Sequence, residues 1–352
     1  MQMRLKPIDQ AFYREHLGFL PSRMIDVHSH VWLRASRVRS GGAPRGPTWP
    51  GRVADENAVE DLLKSYLLFF PAQSVTPLVF GPATRAFDLD ASNRYVSHAA
   101  SDYGLPSLLV TTPEWTAQHL EQQVAEGGFV GLKPYLEFAP SEIPSDSITV
   151  FDFLPHHHLE VADHHGWIVM LHIPRRERLR DSLNLAQVLE IDKRYPGIRL
   201  VLAHIGRAYC PEDVGEAFAI LKDTRVCFDL SANTNAGVME QLLRAVGPKR
   251  VLFGSDQPVV RMRMRRICEN GFYVNLVPPG LYGDVSEDPH MREVTDREGE
   301  TLTFFMYEEL LAFRRAATAL GLGPGEIADI MYENAATLLG EAGWRPQDSA
   351  QL

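Results

Sequence analysis

Eight short apolar runs, each followed by a helix-like stretch, constrain this chain more than any other feature. They lie at Met24–Val31, Ser74–Phe80, Leu105–Thr111, Gly128–Tyr135, Gly166–Ile173, Gly197–Ile205, Arg225–Ser231 and Arg250–Asp256. The runs are apolar nearly throughout instead of alternating, as expected of parallel strands covered on both faces. Between them stand periodic stretches such as TAQHLEQQVAEG, NLAQVLEIDKRYPG, VGEAFAILKD and GVMEQLLRAVG, most of which stop near Gly or Pro as helices do. Eight such units predict an α/β fold closed into a (β/α)8 TIM barrel. The rival is an open doubly wound sheet, but the Gly-rich phosphate turn expected after its first strand is replaced by His28-Ser29-His30.

The 352 residues fit one barrel domain with a core of about 24–340, and 45% hydrophobic with 23% charged residues is the composition of a folded globular chain. Pro7 to Leu20 predicts a short amphipathic helix ahead of the first strand. Two long loops interrupt the rhythm: 34–52 after strand one, rich in Arg, Gly and Pro, and 261–300 after strand eight. Loops of this length are commonly lids or binding elements. The stretches TLTFFMYEELLAFRRAATALG and GEIADIMYENAATLLG predict the last barrel helix and an appended C-terminal helix.

Several apolar runs close on a metal-binding residue type: His28 and His30, His172, His204 and Asp256. Barrel chemistry sits at the C-terminal ends of the strands, so these residues are expected to converge. Alternate strand residues share a face, which turns His28 and His30 the same way and Ser29 the other. His172 is the natural third ligand, and three imidazoles suit Zn²⁺, although Mn²⁺ tolerates the same set. Asp256 returns to the first strand, where a carboxylate can bind the ion and accept a proton from activated water. His204 is placed to steady the nucleophile or polarise the substrate without binding the ion. Arg175, Arg176 and Arg207 follow these histidines; each by itself reads first as an exposed, salt-bridged arginine, but guanidinium groups suit bidentate carboxylate recognition, so an anionic substrate is expected, with Arg175 and Arg207 as contacts. Lys133 ends the fourth strand and reads either as a substrate contact or as an ion pair with Glu137. His156 to His158 and His164-His165 fall in the helix before strand five and read as a solvated or packed helix face.

The order HxH after strand one, His after strands five and six and Asp after strand eight resembles the amidohydrolase superfamily. Within it the chain is most similar to the branch of aminocarboxymuconate-semialdehyde decarboxylase, related aromatic-acid decarboxylases, and lactone and dicarboxylate hydrolases. The ending IMYENAATLLG resembles that branch's Asn-Ala pair and Leu-rich finish. The resemblance covers roughly Ile25 to Gly340. It implies a single-metal site with His28, His30, His172 and Asp256 as ligands and His204 as the catalytic histidine beside them; a lysine at the position of Lys133 is carbamylated to bridge two metals in other amidohydrolases. The expected activity is metal-dependent hydrolysis of a lactone, ester or amide bond in a small, carboxylate-bearing substrate. Non-oxidative decarboxylation of an aromatic or unsaturated acid is the alternative. A barrel that binds without catalysis is disfavoured, because all five positions are filled.

The net charge of −10 argues against a phosphate-backbone footprint and so against a nucleic-acid partner. No run reaches the roughly 18 apolar residues that span a bilayer, and the first thirty residues lack a signal-peptide pattern, so a cytoplasmic protein without membrane contact is expected. Cys210, Cys227 and Cys268 are odd in number and widely spaced, which predicts no disulfide and a reducing compartment. A homodimer through the C-terminal helices or FYVNLVPPGLYG is the expected assembly.

Overall fold

The computed structural model describes residues 4–38, 45, 49–82 and 84–345. All eight predicted strands form: β1 Arg23–His30, β2 Ser74–Phe80, β3 Leu109–Thr111, β4 Gly131–Pro134, β5 Ile168–Leu171, β6 Arg199–Leu202, β7 Cys227–Asp229 and β8 Val251–Leu252. They pair in parallel as two ladders, β1–β2 and β3 through β8. Single parallel bridges, Val79 with Ser107 and Ser29 with Gln257, join these ladders at both edges and close the barrel. The seam between β8 and β1 carries the bonds Val27 N–H to Phe253 O (3.0 Å), Asp256 N–H to His28 O (2.8 Å) and His30 N–H to Gln257 O (2.9 Å). This seam sets Asp256 beside the two histidines of β1.

Helices cover the strands where the sequence supplies caps. Asp88, Thr116, Asp181 and Asn235 each accept a backbone N–H in the first turn of the helices Leu89–Tyr103, Ala117–Gly127, Ser182–Arg194 and Ala236–Val246, satisfying donors that a helix start leaves open. The N-terminal helix spans Pro7–His16, and helix Phe305–Leu320 is followed by Pro324–Ala328, a π turn at Asp329–Glu333 and Asn334–Glu341. The barrel interior is filled by Ile25, Val27, Leu78, Phe80, Leu108, Val110, Ile168, Met170, Val201 and Leu252, all buried.

The stretch after β8 differs from the expected loop. It holds a small sheet of β9 Arg265–Glu269, β10 Phe272–Val277 and β11 Met291–Glu293, with β9 and β10 antiparallel and β10 and β11 parallel. The turn between β9 and β10 is Asn270-Gly271, both with positive φ (53° and 78°), a two-residue hairpin connection whose twist matches its strands. That dipeptide was the available signal. Much of FYVNLVPPGLYG is consumed here, since Tyr273, Val274, Val277 and Tyr282 are buried within the chain. In the loop after β1, residues 39–44 and 46–48 lie outside the described residues; Trp49–Arg52 forms a short 3-10 turn with Trp49 buried.

The cysteine expectation is corrected. Cys210, in the loop after β6, and Cys268, on β9, are disulfide-bonded with Cα atoms 5.8 Å apart, and Cys227 is free. Their separation of 58 residues carries no signal, because the docking of the small sheet on the barrel rim brings them together. The cysteine argument for a reducing compartment falls away. Among the described residues no helix is long and apolar enough to cross a membrane.

Candidate metal centre

The strand-end residues converge. Candidate ligand atoms of His28, His172 and His204 lie within 4.8 Å of one another, and so do those of His28, His30 and Asp256. His28 is common to both groups. His30 Nε2 stands 3.2 Å from Asp256 Oδ1, and His28 Nε2 stands 3.7 Å from the same oxygen.

What aims these rings is a set of partners on their other nitrogens. His28 Nδ1 lies 2.9 Å from Asp229 Oδ2, His30 Nδ1 lies 3.0 Å from the Gly81 carbonyl, and His204 Nδ1 lies 3.0 Å from the Ser231 carbonyl. A carbonyl or carboxylate accepts, so each Nδ1 carries the proton and each Nε2 presents a lone pair to the cluster. His172 Nε2 is buried and has no hydrogen-bond partner among the described residues. A buried polar atom left unpaired is destabilising, and a cation bound here would satisfy it. The donor set, imidazole nitrogens with one carboxylate, thus fits a divalent ion such as Zn²⁺ or Mn²⁺.

Electrostatics keep the donors ready. Burial, helped by the Lys133 charge, lowers His28 to a pKa of about 3, and burial takes His172 well below the ordinary imidazole range. His204 is lowered as well, chiefly by burial. Burial alone would raise Asp256, but the His30 hydrogen bond and the neighbouring imidazoles outweigh it and hold the carboxyl below its ordinary value. Asp256 is therefore favoured as an ionised carboxylate and His28, His172 and His204 as neutral imidazoles, the protonation state a metal requires.

Two buried aspartates organise the backbone beneath. Asp26 accepts from His28 N–H (3.0 Å), Ser255 N–H (2.9 Å) and Tyr66 O–H (2.6 Å), and burial raises its pKa to about 6. Ser29, pointing away from the cluster as expected, meets the same Tyr66 hydroxyl at 2.7 Å. Asp229, at the end of β7, takes the His204 N–H (2.8 Å) and the Ser231 N–H (3.1 Å) besides His28. Sequence reasoning missed Asp229, although RVCFDLS ends an apolar run on a polar residue just as the other site strands do. Gly254 leaves the space this packing needs: a Cβ there would stand 3.0 Å from His28 Cβ and 3.4 Å from Asp229 Cβ.

His204 begins a left-handed turn. His204, Ile205, Gly206 and Arg207 have φ of 55°, 54°, 61° and 61°. Each non-glycine residue there costs about 1–2 kcal/mol, strain of the kind that gathers at functional sites. A Cβ on Gly206 would lie 2.6 Å from a Leu179 methyl, so the turn closes only with glycine.

Lys133 is fully buried, with Nζ 3.5 Å from His28 Nε2 and 4.9 Å from the centre of the Phe80 ring. Burial lowers its pKa to about 7 against the pull of Asp229 and Asp256. The expected Glu137 ion pair does not form; Glu137 instead accepts the Arg45 N–H at 3.1 Å. Tyr135, also missed, is buried with a hydroxyl unpartnered among the described residues, its ring edge-on to His172. Of the two arginines expected to meet substrate, Arg175 donates Nε to Asp181 at 2.8 Å, and Arg207 donates to the Ile173 and Pro174 carbonyls at 3.0 Å each. The histidines of helix His156–His165 stay outside the cluster.

The amidohydrolase family model matches residues 25–270, about 70% of the chain. The chain belongs to the amidohydrolase family. Enzymes of this superfamily are typically metal-dependent. No curated protein matches the sequence. Among solved structures, this amidohydrolase is similar to 5-carboxyvanillate decarboxylase from Sphingomonas paucimobilis, at 13% identity and a TM-score of 0.56, over 90% of this chain and 99% of that one. It is similar to 4-oxalomesaconate hydratase from Rhodopseudomonas palustris, at 15% identity and a TM-score of 0.53, over 90% and 96%. A candidate 2-pyrone-4,6-dicarboxylic acid hydrolase from Pseudomonas putida matches at 16% identity and a TM-score of 0.52, over 92% and 99%. These likenesses concern the fold.

Proposed function

We propose that this amidohydrolase is a metal-dependent hydrolase of a lactone, ester or amide bond in a small, carboxylate-bearing substrate, working in the cytoplasm. The observation that carries the reading is the common orientation of the rings: three Nδ1 atoms are committed to protein acceptors, and the fourth imidazole, His172, keeps a buried Nε2 without a partner. His28, His30, His172 and Asp256 would hold one divalent ion. When bound, it supplies Lewis-acid activation of water or of a carbonyl oxygen. Asp256, ionised and beside His30, accepts the proton released in attack. His204 Nε2, with Nδ1 fixed on Ser231, is positioned to steady the nucleophile or the developing oxyanion.

Decarboxylation is the second reading, and Lys133 favours it: a buried ammonium beside His28 can hold a substrate carboxylate close to the metal group while Asp256 or His204, first protonated from solvent, delivers that proton to carbon as CO2 leaves. Elemental analysis of wild type beside His28→Ala/His30→Ala comes first. About one equivalent of zinc or manganese, lost in the variant, is expected; two equivalents would bring Lys133 in as a bridge, and no metal under replete conditions rejects the reading. Parallel assays with 2-pyrone-4,6-dicarboxylate by pH-stat and 5-carboxyvanillate by CO2 release then separate hydrolysis from decarboxylation.

A further inference from the structure

The edge strand of the small sheet is tied to the barrel without a ladder. β9 pairs only with β10, and among the described residues no backbone group of Arg265–Glu269 bonds to the barrel. Side chains make the connection instead: the Cys210–Cys268 disulfide, the Arg266 Nη1 bond to the Ala232 carbonyl (2.5 Å) and the Arg265–Glu308 ion pair (3.8 Å). Beside the disulfide the Tyr209 ring packs edge-on against Tyr273 of β10, with centres 5.0 Å apart. Two of these links lead to His204. Cys210 follows it in the chain, beyond the left-handed turn at 204–207 and next to Tyr209, whose ring centre is 6.2 Å from that of His204. Ala232 follows Ser231, whose carbonyl fixes His204 Nδ1.

The two sulfurs are unequally accessible. Cys210 is fully buried, whereas Cys268 is exposed and borders an open cleft of about 310 Å³. Arg266 and Arg315 line the same cleft. Cationic side chains favour the thiolate, which is the attacking form in disulfide exchange, so an external thiol can reach Cys268 Sγ from solvent in a field that activates it. Structural bridges resist the cellular thiol pool, while exposed ones are the labile and regulatory ones. In the cytoplasm proposed above, a disulfide is as a rule a transient, redox-sensing one.

We propose that Cys210–Cys268 is a reversible redox-modification site whose reducing co-reactant is a dithiol. One thiolate of the dithiol attacks Cys268 Sγ; the S–S bond breaks, and Cys210 leaves as a thiolate that takes a proton from solvent. The second thiolate then attacks the co-reactant's own sulfur in the mixed disulfide, and Cys268 leaves and is protonated in turn. Two electrons thus enter the protein, and the dithiol departs as a disulfide. In the oxidised form the bridge pins β9 to the loop that follows His204; reduction frees that loop and the β9–β10 hairpin to open together. The control exerted on His204 rests on the catalytic role proposed for it, whereas the exchange chemistry does not.

The test uses full-length protein, metal-free and zinc-loaded, oxidised with glutathione disulfide, freed of it, and then held native with or without dithiothreitol. Cysteines open to iodoacetamide are counted by mass spectrometry, and amide hydrogen exchange is followed across 204–213 and 265–277. Dithiothreitol is expected to add Cys210 and Cys268 to the labelled set and to speed exchange in both segments about tenfold, with helix His156–His165 unchanged. Cys268→Ser is expected to exchange fast without dithiol and to show no further response to it, whereas Cys227→Ser behaves as wild type. Labelling of all the cysteines in oxidised, denatured protein, a bond that dithiothreitol cuts only after unfolding in urea, or reduction that leaves exchange unchanged each overturns the proposal. The wild-type measurements decide between these outcomes even where Cys268→Ser fails to fold. A dithiol response in protein that binds no zinc leaves the redox site standing and rejects only the metal-enzyme reading.

Discussion

Two histidine-rich regions of this chain put the same ring to opposite uses. In helix His156–His165 the nitrogens are spent on the protein: His157 and His158 both direct Nε2 to the Trp115 carbonyl, at 2.9 and 2.8 Å, and His156 Nδ1 meets the Tyr195 hydroxyl at 2.7 Å. At the barrel mouth the Nδ1 atoms are spent and the Nε2 atoms converge. On the helix His156, His157 and His158 pack against the protein while His164 and His165 face solvent, whereas four histidines from three strands make a candidate metal centre. The difference lies in which nitrogen the second bond leaves open.

The hardest test of this contrast compares metal content. His28→Ala/His30→Ala is expected to lose all bound metal, while His157→Gln/His164→Gln retains the wild-type amount; equal loss in both would break the comparison. A smaller effect sharpens the role of the second bond. Asp229→Asn weakens the acceptor that fixes His28 and is expected to reduce metal affinity about 10–100-fold, read by competition with a chromophoric chelator.

Lys133 allows a pH test in metal-free protein. Its pKa is lowered from 10.5 to about 7, first by burial, so below pH 7 the folded state must carry a buried ammonium while the unfolded state holds its proton up to 10.5. Wild-type stability therefore gains from this group as pH rises from about 7 towards 10.5. Lys133→Met is expected to be more stable than wild type by roughly 2–4 kcal/mol below pH 7, with the difference shrinking above it, as measured by urea denaturation at several pH values. A pH-independent difference would show that Lys133 is not desolvated as described. The smallest effect belongs to the helix: His157→Gln should change stability by less than about 1 kcal/mol, because His158 continues to occupy the Trp115 carbonyl.

Legibility varied from one part of the molecule to another for physical reasons. The strands could be read because strands covered on both faces must be apolar along their length, and β2 Ser74–Phe80 has the expected bounds. The run Arg250–Asp256 shortens to a two-residue ladder at Val251–Leu252, since beyond it the chain leaves β7 and bonds singly to β1. The candidate ligands could be read because each closes such a run. Asp229 had the same signal and was passed over. The small sheet after β8 was announced only by Asn270-Gly271, because its strands RRICE and FYVNLV alternate too weakly to stand out.

By itself the sequence determined the order and type of the barrel elements and the residues at the strand ends, because burial on both faces and the two-residue strand repeat are local properties of the chain. Only the tertiary structure decided that β8 meets β1, that Asp229 and Ser231 orient His28 and His204, that Cys210 meets Cys268, and that Arg175 is taken by Asp181. Each of these depends on which distant groups share a small buried volume, where a hydrogen bond made with one nitrogen or one guanidinium edge decides what the other can do.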